Sequence, residues 1–332
     1  MSVSVIIPTF NGAPRIGHCL SALAKQTIEH QAEILVVNDG STDNTAEIVS
    51  HYPGVRLINQ ANLGPAAARN RGAKEAKGAI ILFTDDDCIP MNDWLSSMIA
   101  PFEDPNVIGV KGAYRTRQRS LIARFVQIEY EDRYRIMASL PYIDFIDTYS
   151  AGFRRDRFME MNGYDISFPV ACAEDVELSY RMSARGWLMK FVPGALVFHT
   201  HPDSLSRYLK KKYKFAFWRV LAVSKHPAKT LKDSHTPQIM KIQLLFAPAL
   251  LLGMSCDLLV HATVPISAMV LAAFMLSTLP FSLRAARKDA YMGLLSPLIL
   301  AGRAFSQTLG VIGGLIHARR TTAHAPADSV FQ

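Results

Sequence analysis

The sequence predicts an α/β fold with a mainly parallel sheet, followed by a helical membrane region. Three observations lead to this prediction. Short runs rich in β-branched residues alternate with helical patterns from Val3 to Val110. A basic, aromatic segment begins near residue 203, and a long stretch with almost no charge follows it. Alternating strands and helices form βαβ units, and long uncharged segments are typical of membrane helices.

Five runs bounded by Pro, Gly, Asn or Asp are predicted as strands. They cover residues 3–7, 33–37, 55–58, 79–83 and 107–110. Helical patterns are predicted between them over residues 16–25, 43–51 and 64–77. Ligands of a parallel sheet bind beyond the carboxyl ends of its strands, and the polar loops PTFNG, NDGSTD and TDDD lie there.

The composition narrows the class of protein. At 332 residues the chain can form one large or two modest domains, and its mean hydropathy of +0.12 is high for a purely soluble protein. A net charge of +8 suits nucleic acid or an anionic membrane surface. The four cysteines form no CxxC pair, which indicates neither a zinc site nor a disulfide framework. The first residues lack a basic region before their apolar run, so we expect a strand and not a signal peptide.

Two neighbouring segments indicate whether the partner of this basic chain is nucleic acid or a membrane surface. Residues 205–232 carry nine basic residues and no acid, interleaved with aromatic side chains that could grip single-stranded nucleic acid. Residues 242–283, however, contain one formally charged residue, Asp257, which leaves room for two membrane helices with a turn near 261–265. We therefore predict a basic amphipathic segment over residues 204–236 that lies in the headgroup layer, and no nucleic-acid partner.

The last apolar stretch, Tyr291–Ile316, has Arg303 and Gln307 near its middle, where a charge that faces lipid is costly. It is either a third span with Arg303 facing the other helices, or two short interfacial helices broken near Gly302. We favour the interfacial pair, because a third span would export the basic HARR segment at 317–320.

This pattern predicts the organisation of the C-terminal part and its place in the cell. Residues 237–318 are expected to form transmembrane and interfacial helices, and residues 319–332 a disordered tail. The chain would then be a multi-pass protein of the cell (inner) membrane, with the N-terminal domain on the cytoplasmic face.

Three consecutive acids, Asp85, Asp86 and Asp87, end a predicted buried strand, where carboxylates repel one another. Residues two apart on a strand project to the same side, so Asp85 and Asp87 can approach one cation together. Oxygen ligands of this kind suit Mg²⁺ or Mn²⁺ bridged to a diphosphate. The alternative is that Asp86 or Asp87 caps a helix that begins near Asn92.

Five ordered motifs, VSVIIPTFNG, ILVVNDGSTDNT, NLGPAAARNRG, FTDDDC and AEDVELSYRMSARGW, strongly resemble the family 2 glycosyltransferases of the GT-A fold. The resemblance covers residues 3 to about 202, so we place the catalytic domain at 1–203. It implies a nucleotide-diphospho-sugar donor, usually UDP-linked, transfer with inversion, and a divalent metal, Mn²⁺ or Mg²⁺.

The resemblance also implies donor-site roles for individual residues. Pro8 and Thr9 would line the nucleobase pocket together with Asn11, and Asp39 would hold the uracil or the ribose. The remaining expected donor-site residues are Arg69 near the nucleotide, Asp86 near the ribose, and Asp85 with Asp87 at the metal and diphosphate.

Glu174 and Asp175 open a predicted helix, where two acids are often simple partners of the helix dipole. By resemblance to the family's E-D motif, Asp175 is the catalytic base and Glu174 orients the acceptor. A carboxylate can accept the proton as the attacking hydroxyl gains positive charge. The family commonly carries a His after the next strand that completes the metal shell; its place matches His199, with His201 as the alternative. An imidazole ligand would favour Mn²⁺ over Mg²⁺.

The position of the membrane segments predicts a lipid or lipid-linked saccharide as acceptor. Processive members of the family carry Q-x-x-R-W after the base, whereas YKFAFWRV has Trp218 and Arg219 in another order, so addition of a single sugar is favoured. Two alternatives stay open: transfer to a polyprenyl phosphate itself, gripped by basic residues at 205–219, and a non-catalytic nucleotide-sugar-binding membrane scaffold.

Overall fold

A computed structural model describes residues 1–27, 32–168, 172–227, 234, 236–259 and 264–323. The chain divides into two compact units. Unit 1 comprises Met1–Arg119, Val126–His201 and Asp233–His235, and unit 2 comprises Ser120–Phe125, Pro202–Lys232 and Thr236–Gln332.

The strands and helices of the N-terminal part occur in the predicted order, together with elements that were not predicted. In chain order they are β1 (Val3–Thr9), α1 (Ile16–Leu23), β2 (Glu33–Asp39), α2 (Thr45–Ser50), β3 (Val55–Gln60), α3 (Pro65–Glu75), β4 (Ile80–Thr84), β5 (Ile89–Pro90), α4 (Trp94–Ile99), β6 (Val107–Arg115), α5 (Leu121–Ala138), β7 (Ser150–Arg154), α6 (Arg155–Glu160), α7 (Glu174–Ala184) and β8 (Leu188–Phe198). The later helices are α8 (Leu205–Lys225), α9 (Gln238–Gln243), α10 (Phe246–Leu259), α11 (Ile266–Lys288) and α12 (Ala290–Ala323).

The strands of unit 1 form one sheet in the order β3-β2-β1-β4-β7-β6-β8-β5. The first four strands of that order run parallel, and β7 and β5 pair antiparallel with their neighbours. The predicted α/β fold with a mainly parallel sheet is confirmed. Every residue of β1 and β4 is buried, which explains why these strands are mostly apolar and do not alternate apolar with exposed polar residues.

Helix α3 packs closely on the sheet because its inner face carries small residues. A Cβ at Gly72 would clash with the side chain of Ile6 on β1. The same helix carries Arg69, whose side chain is buried. The Ala- and Gly-rich face of α3 therefore holds a long cationic side chain close to the ends of the parallel strands.

Helix α12 corrects the prediction for the last apolar stretch. The sequence predicts two short helices broken near Gly302 and disorder from residue 319, but α12 is continuous through Ala323; residues 324–332 lie outside the described part. Glycines on α12 let the backbone of α8 approach closely: a Cβ at Gly310 would clash with the carbonyl oxygen of Tyr213, and one at Gly314 with that of Phe217. The glycines serve helix packing and do not break the helix.

Three helical stretches of unit 2 are long and apolar enough to cross a membrane: Gln238–Leu259, Ile266–Lys288 and Ala290–Arg320. The turn predicted near residues 261–265 lies largely outside the described residues. Arg303, in the middle of the third stretch, is buried and donates from Nη2 to Gln243 Oε1 at 2.6 Å. Arg303 therefore has a polar partner within unit 2, and its charge does not require a break in the apolar helix.

Candidate active site

The loops after β1 and β2 meet at the carboxyl edge of the sheet, as the parallel arrangement predicts. The backbone N–H of Asn11 donates to Ser41 Oγ at 2.9 Å, and Asn11 Oδ1 accepts from the N–H of Thr42 at 2.9 Å. Asn11 adopts a left-handed conformation, with a φ of 48°, which Asn tolerates better than most residues. Pro8 is buried near the end of β1. We call this edge of the site, formed by Pro8, Asn11, Ser41 and Thr42, the rim.

Each carboxylate of the acidic triplet has a different partner. Asp85 Oδ1 lies 2.7 Å from Arg69 Nη2, Asp86 Oδ2 lies 3.0 Å from Arg15 Nη2, and Asp87 Oδ1 lies 3.2 Å from His199 Nδ1. The guanidinium groups of Arg69 and Arg15 therefore offset the charges of Asp85 and Asp86, and His199 contacts Asp87. A cation shared by Asp85 and Asp87 stays a prediction. The capping alternative is wrong, because α4 begins at Trp94 and its N-terminal cap position is Asp93.

Asp86 is also held by Thr9, close to Gly12. Thr9 Oγ1 donates to Asp86 Oδ2 at 2.7 Å, and a Cβ at Gly12 would clash with both groups. Burial raises the pKa of Asp86 against the opposing effect of Arg15. The loop PTFNG thus needs its glycine so that β1 and the triplet can meet at this point.

Asp39 fixes the loop that leads into α3. Its carboxylate accepts from Gln60 Nε2 at 2.7 Å and from the backbone N–H groups of Leu63 and Gly64, both at 2.9 Å. These bonds give Asp39 a structural role at the rim, and its contact with a nucleoside stays a prediction.

Arg69 joins the acidic triplet to the pair Glu174 and Asp175. Besides its bond to Asp85, its Nη1 donates to Glu174 Oε1 at 3.2 Å, although the two residues are 105 positions apart. Both side chains of this second pair are 3% exposed, so the charges are removed from water and depend on each other. Burial raises the pKa of Glu174, and its Oε2 has no hydrogen-bond partner among the described residues.

Asp175 follows Glu174 in the first turn of α7 and is partly exposed. Ala173, in a left-handed conformation with a φ of 73°, is the N-terminal cap residue of this helix. Burial, and then the neighbouring carboxylates of Glu174 and Asp147, raise the pKa of Asp175 to about 8. A carboxyl group of this kind is a stronger base than an ordinary one when it is ionised.

A buried pair behind Asp175 was not predicted from the sequence. Lys111 on β6 donates to Asp147 and, at 2.8 Å, to Tyr149 Oη. The segment before Asp147 is tied to α7, because the N–H of Ile146 donates to Ser179 Oγ at 3.0 Å, one turn after Asp175. Lys111 is therefore a buried strand residue whose ammonium group is bound by Asp147 and Tyr149.

Asp87, Cys88 and His199 form a cluster that could hold a metal ion. Cys88 Sγ lies 3.8 Å from Asp87 Oδ1 and 3.9 Å from His199 Nδ1. His201 is buried elsewhere, with Nε2 at 3.0 Å from Gln127 Oε1 and its ring stacked on Tyr130. Of the two histidines considered, His199 is the one that the structure brings to Asp87.

Three of these groups were missed by sequence reasoning. Arg15 lies 71 residues from Asp86 and Lys111 lies 36 residues from Asp147, so no local pattern links them. Cys88 has no second cysteine near it in sequence and so gives no sign of a metal site of its own. The one available signal was its position directly after the acidic triplet.

Residues 4–161 match the sequence profile of Glycosyl transferase family 2. The chain is 45% identical over 89 residues to the glycosyltransferase YibD of Escherichia coli, a match that covers 26% of each protein. It is 28% identical over 224 residues to a poly-β-1,6-N-acetyl-D-glucosamine synthase of Staphylococcus aureus, which covers 64% of this chain and 53% of the relative. The chain thus spans about a quarter to about half the length of these relatives.

The fold is similar to that of the mannosyltransferase PcManGT from Pyrobaculum calidifontis, solved with GDP-Man and Mn²⁺. The TM-score is 0.65 at 20% identity, over 94% of this chain and 86% of that one. The matched profile, the mainly parallel sheet and the position of the acidic triplet agree with one another. Residues 4–161 of this chain therefore match glycosyl transferase family 2, the N-terminal part has a GT-A fold, and candidate membrane helices follow it.

Proposed function

We propose that this chain is an inverting, metal-dependent glycosyltransferase that moves one sugar from a UDP-sugar to a hydroxyl group of a lipid-linked acceptor. The observation that carries the proposal is the position of Arg69. This buried guanidinium pairs with Asp85 of the predicted donor motif and with Glu174 of the predicted acceptor motif. The two halves of the proposed reaction therefore lie within one ion-pair network.

In the proposed reaction Asp175 accepts the proton of the acceptor hydroxyl while its oxygen forms a bond to the anomeric carbon. The bond from that carbon to the diphosphate oxygen breaks with its electron pair, and the nucleoside diphosphate leaves. Glu174, fixed by Arg69, orients the acceptor. Asp87 and His199, with Asp85 as predicted, would hold a divalent cation that stabilises the negative charge of the leaving diphosphate.

The residues present fit such a cation. Asp87 Oδ1 and His199 Nδ1 are 3.2 Å apart, close to the separation of about 3 Å that two ligands of one metal ion have. Their side chains are 29% and 11% exposed, which leaves the pair open on one side. An oxygen and a nitrogen ligand are compatible with Mn²⁺.

The uracil nucleobase of the donor sugar nucleotide is proposed from the family resemblance. PcManGT was solved with GDP-Man, so GDP-linked sugars belong in the same test. The S. aureus relative is named as a polysaccharide synthase. Single addition is proposed for this chain because Trp218 precedes Arg219 in α8, the reverse of the processive motif.

The lipid acceptor is proposed from the three candidate membrane helices. One observation favours the second candidate, transfer to a polyprenyl phosphate. Within unit 2, a cavity of about 680 Å³ is lined by Leu205, Leu209 and Tyr213 together with Lys210 and Lys214. Two lysines one helical turn apart beside an apolar groove suit a phosphate on a long hydrocarbon chain.

The test uses the full chain in nanodiscs with panels of UDP- and GDP-linked sugars and Mn²⁺. Lipid extract, polyprenyl phosphate and polyprenyl-diphosphate-linked saccharides are offered as separate acceptors, and products are identified by mass spectrometry. We expect nucleoside diphosphate release with one UDP-sugar and a lipid product larger by one sugar. Product with polyprenyl phosphate alone would favour the second candidate. Metal-dependent nucleotide binding without turnover on any acceptor would contradict both and favour the non-catalytic scaffold.

A further inference from the structure

Cys88 and His199 lie one residue beyond the paired ends of β5 and β8. Strands β5 and β8 pair antiparallel with Ile89 opposite Phe198, so the residue before Ile89 faces the residue after Phe198. Directly opposed residues have Cβ atoms about 5 Å apart, which is within reach of a shared ion. The pairing of β5 with β8 thus brings a thiol to the imidazole that the proposed metal site uses.

The turn that ends β4 brings Asp87 to the same point. The N–H of Cys88 donates to the carbonyl oxygen of Asp85 at 3.0 Å and closes a turn over residues 85–88. In such a turn, successive side chains do not alternate between two faces as they do along a strand. Consecutive residues can therefore direct their side chains to one side, and Asp87 Oδ1 and Cys88 Sγ come within 3.8 Å.

The three distances match the edges of a metal coordination shell. Metal–oxygen and metal–nitrogen bonds of about 2.0–2.1 Å and a metal–sulfur bond of about 2.3 Å give tetrahedral edges of about 3.3–3.6 Å. The observed separations are 3.2 Å for oxygen to nitrogen, 3.8 Å for sulfur to oxygen and 3.9 Å for sulfur to nitrogen. Shifts of a few tenths of an ångström would close the shell around one ion.

The orientation of the imidazole is fixed by the sheet. The N–H of His199 donates to the carbonyl oxygen of Arg115 at 2.9 Å, and its ring stacks on Tyr114 with centroids 4.6 Å apart. A ring held in this way directs Nδ1 to Cys88 and Asp87 before any metal binds. Preorganised ligands lower the ordering cost of binding.

We propose that the Cys88 thiolate is a metal ligand, so that Asp87, Cys88 and His199 form a three-ligand site for a borderline or soft divalent ion such as Zn²⁺, Co²⁺ or Cd²⁺. The thiol proton passes to solvent as the sulfur–metal bond forms. This inference rests on the proposed metal site and adds its sulfur ligand. Soft thiolates favour such ions over Mg²⁺ and Mn²⁺, so the sulfur ligand would raise the affinity of this site for thiophilic ions, while Mn²⁺ would keep its oxygen and nitrogen ligands.

The test measures metal binding to the full chain in detergent and needs no sugar transfer. Co²⁺ is added to the Cys256→Ser variant, which removes the one exposed cysteine of the described residues, and to the Cys88→Ser Cys256→Ser variant. We expect cobalt–thiolate charge-transfer absorption in the first and none in the second. Absorption in both, or in neither, would overturn the proposal and leave weak S–H hydrogen bonding as the role of Cys88.

A second measurement separates loss of a ligand from loss of the fold. Competition titrations compare Cd²⁺ and Mn²⁺ in the same two variants. Outer-shell changes alone cost about 10–100-fold in metal affinity, so loss of the sulfur is expected to weaken Cd²⁺ binding by about 100-fold or more. Mn²⁺ affinity should change by less than about tenfold, since its other ligands are kept. Equal losses for both ions would contradict a sulfur bond.

X-ray absorption of the Zn²⁺-loaded Cys256→Ser variant tests the ligand without a change at Cys88. A sulfur scatterer at about 2.3 Å is expected. A shell of oxygen and nitrogen alone would overturn the assignment. These outcomes are independent of sugar transfer, because a chain inactive on every acceptor could still show the zinc–sulfur bond, and an active chain could lack it.

Discussion

At the scale of single residues, the site depends on how buried charges are paired. The sequence shows three adjacent carboxylates, and the structure separates them onto Arg69, Arg15 and His199. Arg69, which is 2% exposed and joins two motifs, carries a charge that would be costly without a partner. Removal of one partner from such a network leaves an uncompensated buried charge.

We expect Arg69→Met to destabilise unit 1 by about 3–5 kcal/mol, because Asp85 and Glu174 lose their shared cation. Arg71→Met is the matched control on the same helix: Arg71 is 51% exposed and pairs with Glu75 one turn away, a pair worth at most about 1 kcal/mol. Thermal unfolding of the full chain in detergent compares the two. Equal shifts in the unfolding temperature would contradict the role given to Arg69.

Asp175→Asn should lower the rate of transfer by a factor of about 10²–10⁴, since an amide cannot accept the acceptor's proton. Nucleotide affinity should stay unchanged, because Asp175 is assigned to the acceptor and not to the donor. Asp156→Asn, which removes a 72% exposed carboxylate, is the control and should keep full activity. Isothermal titration and a transfer assay measure the two quantities, and wild-type turnover by Asp175→Asn would refute the assignment.

The pKa of Asp175, about 8, predicts how activity depends on pH. A carboxyl group is protonated below its pKa, and the base must be ionised, so kcat/KM should rise as the pH rises towards about 8. Glu174→Gln removes a neighbouring negative charge and should move this acid limb to lower pH. The pH profile of the free enzyme's kcat/KM is the measurement, and a flat profile between about pH 6 and about pH 9 would contradict the prediction.

Sequence reasoning could predict residues that follow strand ends or begin helices, since those positions have local signals. The triplet, Glu174 and Asp175 are of this kind. It could not predict which ion pairs form, because Arg69 and Glu174 are 105 positions apart and meet only through the fold. Periodicity could not rank His199 against His201, and only the family resemblance put His199 first.

At the scale of elements, the continuous α12 shows how a local signal can mislead. Gly302 and Arg303 suggest a break, but Arg303 has a partner in Gln243 and the glycines face α8. Strand β7 was missed for a related reason. Its sequence, SAGFR, has no β-branched residue, and its pairing with β4 and β6 determines its conformation.

Two alanine substitutions on α12 test the packing interpretation. Gly310→Ala should destabilise unit 2 by about 1–3 kcal/mol, because its Cβ would clash with the carbonyl oxygen of Tyr213 on α8. Gly302→Ala should be neutral or stabilising by up to about 1 kcal/mol, since the nearest atom, on Leu209, is 3.4 Å away and Ala is the better helix former. Thermal stability in detergent measures both, and equal effects would show that α8 does not pack here.

At the scale of the whole molecule, the pairing of α8 and α12 bears on membrane topology. Leu209 lies by Gly302, Tyr213 by Gly310 and Phe217 by Gly314, so the two helices run in the same direction side by side. If this part of α12 crossed the bilayer, Lys210 and Lys214 of α8 would enter it too, at a high cost. The remaining part, 290–301, spans about 18 Å and is shorter than the hydrocarbon core.

We therefore expect two spans, Gln238–Leu259 and Ile266–Lys288, with the end of α12 on the same side as the N-terminal domain. Reporter fusions at residue 1 and after residue 323, active only in the cytoplasm, should both be active in cells. Activity of the first alone would show that α12 crosses the membrane and that α8 does not lie beside it in the bilayer.

The central claim is that a sugar nucleotide is cleaved at a metal site beside the acidic triplet. The most direct test is the rate of nucleoside diphosphate release by the full chain in nanodiscs with its sugar nucleotide and lipid acceptor, first with chelator and then with Mn²⁺ restored. We predict that release stops when the metal is removed and returns as Mn²⁺ is titrated back. Release that continues unchanged in the presence of chelator would contradict the claim.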